Sequence, residues 1–400
     1  MGGDSERAQL DAALDELCAR FDPATTANET FWGAQFDAGL AWVWFPVGAG
    51  GLGFRPELQH HVNAAIVARG GSVENRLANI LGIGMGAATL VGHGTPEQIA
   101  RFLRPMFTCE EIWCQLFSEP GAGSDLAALA TSAVKDHDQW ILNGQKVWNT
   151  MAHVAAFGLI VARSDPNASK HAGLTYFILD MASDGVDVRP LYQITGEAEF
   201  NEVYLTDVVI PDTNRLGDVG GGWGVAMTTL ANERVAIGGN ELARGEGIIA
   251  QAITAFRALK ETGEADPVFE DQLMTHWVAA EVLRLTTLRA NSAASGKTPG
   301  PEGSTAKLQW AELNKAVSSF TLELLGPAGV TYPRGYTFDR PSEPGLLSTD
   351  PHHAFLRSRA NSIEGGTSEI MRNILGERVL GLPGEPRVDK DVAWRDVPRN

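Results

Sequence analysis

The chain has 400 residues, 44% hydrophobic and 20% charged, enough for a sizeable core spread over two or three lobes. A formal charge of −17 argues against broad binding to nucleic acid or anionic membrane, while local basic spots still suit a phosphorylated ligand. Cys18, Cys109 and Cys114 lack metal-ligand spacing, the N-terminus MGGDSERAQL has no apolar signal core, and no run of about 18 apolar residues occurs, so a reduced, cytoplasmic protein without a membrane span is expected.

Residues 5–22 predict an amphipathic helix, with Leu10, Ala13, Leu14, Leu17 and Cys18 at three/four spacing. The following WVWFPVGAGGLGF is too rich in Gly and Pro for regular structure and reads as a loop capping the core. From Pro56 to Phe107 the pattern is helical, and Thr95 before Pro96 and Glu97 is a good N-cap with proline in the first turn. Period two begins after Glu110, in IWCQLF, TSAVKD, QWILNGQKVW, AAFGLIVARS, LTYFILDM, VDVRPL and NEVYLTDVVIP, which suggests a small barrel or sandwich. Helical periodicity returns after Gly222 as one run to Lys260, then in FEDQLMTHWVAAEVLRLTTLRANSAA and STAKLQWAELNKAVSSFTLELLG, and last over Thr367–Leu380. Pro333–Pro351 reads as a surface loop, and the polar tail PGEPRVDKDVAWRDVPRN either wraps a neighbour or is loose. Helices, then strands, then helices predict an α+β fold with a β lobe between two helical lobes.

Gln115–Asp125, QLFSEPGAGSD, organises the rest. Gly121 and Gly123 permit positive φ, Pro120 has no amide of its own, and amides flanked by Ser118 and Ser124 can cradle an anion or the polar edge of a flat ring. An ordinary Gly-rich strand connection fits the same residues. NGQKVWNT follows, with Trp148 and Thr150; much later comes SIEGGTSEIMRNILGERVLGL, Ser362–Leu382. In this order the three segments resemble the acyl-CoA dehydrogenase family of FAD flavoproteins, and the likeness in element order extends over nearly the whole chain. The resemblance implies an N-terminal helical domain (1–110), a middle β-barrel (111–218) and a C-terminal four-helix bundle with a polar tail (219–400). It also implies FAD at a subunit contact of a homodimer or homotetramer, or a heteromer, with acyl-CoA as substrate and an electron-transfer flavoprotein as acceptor.

Dehydrogenation of a thioester between its α and β carbons needs a base for the α-proton, a flat flavin for the β-hydride, and donors for the thioester oxygen. By resemblance, Gln115, Phe117, Ser118, Gly123 and Ser124 form the flavin strand and turn, and Ser124 also touches the pantetheine arm. Trp148 lies against the flavin and Thr150 places a hydroxyl near its reactive nitrogen, although a core aromatic also explains Trp148. Thr367 and Glu369 match residues near the FAD diphosphate and adenosine, and Thr367 doubles as a helix cap.

The commonest family pattern has its catalytic Glu directly before Gly-Thr. Here Gly365 stands there and Glu364 is one residue early, a swing of about 100° on a helix. A second subgroup carries the base as Glu-Arg on the first helix of the bundle, which matches Glu233-Arg234 in ANER. Glu233 is the preferred base, with Glu364 the alternative, the Gly365 amide an oxyanion donor and Arg234 a substrate contact. The family's Arg-x-x-Phe-Gly is missing, and its Gln…Gly-Gly-x-Gly turn appears as Glu323, Gly326 and Gly329 in ELLGPAGV. The adenosine site is therefore altered, or a different subunit completes it. An acyl-CoA oxidase or flavin monooxygenase on the same fold, and a catalytically silent subunit of a heteromeric dehydrogenase, are the alternative functions.

Overall fold

A computed structural model describes residues 2–238, 243–293, 303–333, 335, 338–342, 349–386, 389 and 391–397. The first helical stretch holds α1 (Gly2–Arg20), α2 (Asn28–Asp37), α3 (Leu58–Ala68), α4 (Asn75–Ala78), α5 (Ala87–His93) and α6 (Pro96–Phe107). The helix expected over 5–22 is α1, and Leu10, Leu14 and Leu17 make its buried stripe. Thr95 caps α6 through a capping box with Gln98, whose amide also reaches Thr213 and Arg215 carbonyls at 2.8 and 2.9 Å and so fixes α6 to the strands. The stretch expected as one helix over LANILGIGMGAATLVGHG is broken by a π-helical turn at Gly82–Gly86. The irregular WVWFPVGAGGLGF is core rather than cover: Trp42, Val43 and Phe45 are buried, and Trp42 donates to the Ile83 carbonyl.

The seven expected strands all form: β1 (Trp113–Leu116), β2 (Ser132–Asp136), β3 (Gln139–Lys146), β4 (Phe157–Arg163), β5 (Leu174–Asp180), β6 (Val186–Pro190) and β7 (Asn201–Pro211). An eighth, β8 (Arg215–Leu216), is too short for a periodic signal. They make one mixed sheet in the order β6-β7-β3-β2-β4-β5-β8, with β1 parallel to β4. One face folds on itself: Trp140 of β3 meets Phe177 of the non-neighbouring β5 at 5.2 Å, inside a core fed by β1 to β5 and β7. At Gly144 the β3–β7 register shifts, and a Cβ there would lie 2.7 Å from the Thr131 backbone, so only glycine lets β3 bend toward the site.

The second helical stretch holds α7 (Gly222–Gly238), α8 (Ile248–Thr262), α9 (Pro267–Ala293), α10 (Gly303–Leu324), α11 (Pro351–Ser358) and α12 (Ser368–Ile374). The single run expected to Lys260 is interrupted before α8, where Gly245 and Gly247 take φ of 81° and 77°. The last helix stops early as well, giving way to a π-helical turn at Leu375–Val379. Ile249, Phe256, Leu273, Leu313, Val317 and Phe320 form a core of their own for α8, α9 and α10. By contrast, α7 belongs to the core shared by the first helices and the sheet: its Thr229 hydroxyl bonds those of Thr89 and Tyr176 at 3.0 and 2.9 Å. The described part of the tail is docked on its own chain. Trp394 donates to the Ala128 carbonyl and lies under the Arg163 guanidinium, and Lys170 pairs with Asp125 and Asp389. Among the described residues, no helix is long and apolar enough to cross a membrane, and no group of three or more His, Cys, Asp or Glu is arranged to hold a metal.

Candidate active site

Two of the three motifs lie side by side because strands carry them. The Ser118 carbonyl accepts from Val147 N (2.9 Å) and the Gln115 carbonyl from Asn149 Nδ2 (2.9 Å), which joins the end of β1 to the turn after β3. Beneath this junction lies a buried ion pair. Lys146 Nζ, fully buried, donates to Glu119 Oε1 (2.9 Å) and to the carbonyls of Phe117 (3.0 Å) and Val161 (2.9 Å). Glu119 also accepts from the amides of Ala130 (2.6 Å) and Thr131 (2.9 Å). Burial pushes the Glu119 carboxyl up, but the Lys146 charge and these donors outweigh it and hold it below the usual carboxylate range. Burial pulls the Lys146 ammonium down, with Glu119 opposing.

The glycine turn differs in detail from its expectation. Glu119 and Ala122 exchange amide–carbonyl bonds at 3.0 Å, so those two amides are already used. Neither Gly121 nor Gly123 takes a positive φ, and a Cβ on either would meet nothing within 4 Å. The chain's own fold therefore does not require these glycines, and the space above them is open. Phe117 turns its ring into the core against Tyr176, and its carbonyl is held from beneath by Lys146. Ser118 is half-buried, and Ser124 is exposed beside the Asp125–Lys170 pair.

Trp148 and Met151 flank Thr150 at φ of 62° and 57°. Such left-handed conformations cost a non-glycine residue on the order of 1–3 kcal/mol and cluster where a site imposes them. Trp148 is 57% exposed, with Phe200 edge-on at 5.9 Å. Met151 N and Asn149 N bond the carbonyls of Glu199 and Asn201, so this turn hangs on the segment leading into β7.

The third motif arrives through side chains. Glu233 on α7 is half-buried and accepts from Gln115 Nε2 at 3.5 Å, a long bond that still sets this carboxylate against the β1 strand. Glu364 is bound on two sides. Arg357 Nη1 reaches its oxygens at 3.0 and 3.2 Å, and Asn361 Nδ2 donates at 2.6 Å. Arg357 in turn holds the buried Glu199 at 3.1 Å. Gly365 and Gly366 take φ of 62° and 93°, and Lys307 on α10 donates to the carbonyls of Asn361 and Gly366. Thr367 caps α12 by accepting from Ile370 N at 3.1 Å, as expected. Glu369 points to solvent 3.9 Å from Arg372. The Arg234 side chain lies outside the described residues. A separate cleft of about 380 Å³, lined in part by His153, Asp180, Met181 and Arg340, contains none of the motif residues.

Family models for the acyl-CoA dehydrogenase middle domain and C-terminal domain match residues 114–208 and 220–380. The acyl-CoA dehydrogenase IpdE1 of Mycobacterium tuberculosis is 38% identical over 307 residues, covering 75% of this chain and 74% of that protein. The chain belongs to the acyl-CoA dehydrogenase family. The acyl-CoA dehydrogenase FadE34 of the same organism is 41% identical over 298 residues, 74% of this chain but 39% of that longer relative. Among solved structures, the ChsE4-ChsE5 complex from Mycobacterium tuberculosis superposes with a TM-score of 0.70 at 25% identity, over 94% of this chain and 98% of that one. Membership makes the chain a flavoprotein oxidoreductase of the acyl-CoA dehydrogenase type, with FAD as cofactor. The residues fit that group: the space over Gly121 and Gly123 is open, and Asn149 Oδ1 is buried beside β1 with no partner among the described residues. Sequence reading passed over Lys146, Asn149, Arg357 and Lys307. Nothing local marks them, because each acts through a partner distant in the chain.

Proposed function

We propose that the protein dehydrogenates an acyl-CoA thioester between its α and β carbons, with Glu233 as the base. The observation that carries this is the division of labour between two carboxylates. Glu364 is committed to Arg357 and Asn361, whereas Glu233 lies against Gln115 on the flavin strand. Bound FAD supplies the acceptor for the β-hydride. The residues matching the flavin contacts are Gln115, Ser118, Trp148 and Thr150, with Ser124 toward the pantetheine arm and Thr367 and Glu369 toward the diphosphate end. Glu233 takes the α-proton on a carboxylate oxygen, and the Gly365 amide donates to the thioester oxygen as negative charge develops there.

The reading extends to partners. The missing Arg-x-x-Phe-Gly and the exposed Glu323 leave the adenosine end short of its usual contacts. A related but different subunit would complete it, in keeping with the two-component ChsE4-ChsE5 complex, and an electron-transfer flavoprotein would receive the electrons. Glu233→Gln should keep its flavin absorbance yet lose anaerobic bleaching by acyl-CoA by about 10³-fold or more, as expected when a general base is removed. Glu364→Gln should retain most of the bleaching and lose stability. If the Glu364 variant loses bleaching while Glu233→Gln keeps it, the assignment is reversed. A panel of straight, branched and ring-bearing acyl-CoA thioesters, read by the same bleaching, identifies the acyl group.

A further inference from the structure

The segment Asn361–Thr367 carries the Gly365 amide between a 3-10 turn at Arg359–Ser362 and the cap of α12. Its two successive left-handed glycines give it shape, and at Gly366 a φ of 93° would strain any residue with a side chain. Lys307 fixes it. This side chain is fully buried on α10, and its ammonium donates to Asn361 O at 2.8 Å and Gly366 O at 2.7 Å. One cation thus ties the start of the turn to its end, with Gly365 between. Arg357 and Asn361 grip Glu364 in the same turn.

A buried ammonium persists only where charges and acceptors compensate it. Glu364 of the turn, Glu233 of α7 and Glu312 of α10 all attract Lys307, while Lys315 on α10 repels it. Arg357 of α11 faces Glu364, Arg372 of α12 acts on Glu312, and Gln115 of β1 faces Glu233. Burial pulls the Lys307 ammonium below its usual range, and the three carboxylates oppose that pull.

We propose that Lys307 is a positioning residue for the dehydrogenation: its ammonium, bonded to Asn361 O and Gly366 O, sets the turn that presents the Gly365 amide to the thioester oxygen. This rests on the reading of the Gly365 amide as the thioester-oxygen donor.

The test is anaerobic rapid mixing of the flavin-loaded assembly with a bleaching acyl-CoA over a range of thioester concentrations, comparing wild type, Lys307→Met and Lys307→Arg. Lys307→Met should slow limiting bleaching by about 10²-fold, the cost typical of a lost oxyanion donor, with acyl-CoA affinity nearly unchanged. Lys307→Arg, which keeps a cation with several donors, should recover part of that rate. A Lys307→Met limiting rate equal to wild type, or a loss carried by acyl-CoA affinity instead of the limiting rate, overturns the proposal. Should Lys307→Met fail to accumulate with flavin, Lys307→Gln replaces it; with a shorter side chain that cannot hold both carbonyls, it must show the same loss of limiting rate, and a wild-type rate overturns the proposal. Failure of the underlying reading looks different: wild type itself is then not bleached by any acyl-CoA, and both ideas fall together.

Discussion

At the scale of single residues, the open glycines are the most informative. Glycine in a turn is usually justified by a positive φ or a close approach within the chain, and Gly121 and Gly123 show neither. What remains is room for something that binds over them. Gly121→Val and Gly123→Val should therefore leave apoprotein stability within about 0.5 kcal/mol, as for surface positions generally. FAD or acyl-CoA binding should weaken by about tenfold or more, equivalent to ~1.4 kcal/mol. Thermal denaturation of the apoprotein and flavin titration separate the two effects; wild-type binding in both variants would remove the cradle from the argument. Glu364 teaches a related lesson. Standing one position before the family's usual Glu, it is bonded to Arg357 and Asn361, which on our proposal makes it an anchor and not the base.

At the scale of elements, the β1–turn–β3 junction depends on the Glu119–Lys146 pair. Its exposures are 8% and 0%, so solvent screens it little. Lys146→Met leaves Glu119 buried without its cation and strips two carbonyls of a donor, at an expected cost of ~3–5 kcal/mol. Glu119→Gln with Lys146→Met should recover part of that loss, because no unpaired charge is left. A double-mutant cycle in denaturant unfolding measures the coupling, and strict additivity would show that the two side chains do not act as a unit. The same pair explains how a Gly-rich turn can be rigid: its stiffness comes from below, where Ala130, Thr131 and Lys146 all donate to one carboxylate.

At the scale of the whole molecule, α9 carries an apolar stripe that none of the described residues covers. Met274, Val278, Val282 and Leu285 share one face at three/four spacing and are 48–53% exposed. Exposed apolar runs often mark protein contacts, and we expect this one to meet another subunit. Light scattering of the purified assembly should give a mass above that of one chain. Introducing Val278→Glu together with Val282→Glu should shift that mass downward and, if FAD sits at the contact, release flavin as well. An unchanged mass would assign the stripe to some other surface.

The sequence by itself determined the order of elements, since hydrophobic period reports directly on which face is buried. All seven strands were legible in this way, while the Thr95 and Thr367 caps were legible from residue type and position and the family motifs from a resemblance. Breaks within helices were less so, because π-turns such as Gly82–Gly86 keep nearly the same period as the helices around them. Only the tertiary structure decided what each charged side chain does. Glu233 meets Gln115 across 118 positions, Lys146 meets Glu119 across 27, and Lys307 meets Gly366 across 59. A lone Glu or Lys in a sequence reads as a solvated surface charge. It becomes a tether or an anchor, or, as we propose for Glu233, a base, when folding removes its water and supplies a partner from elsewhere in the chain.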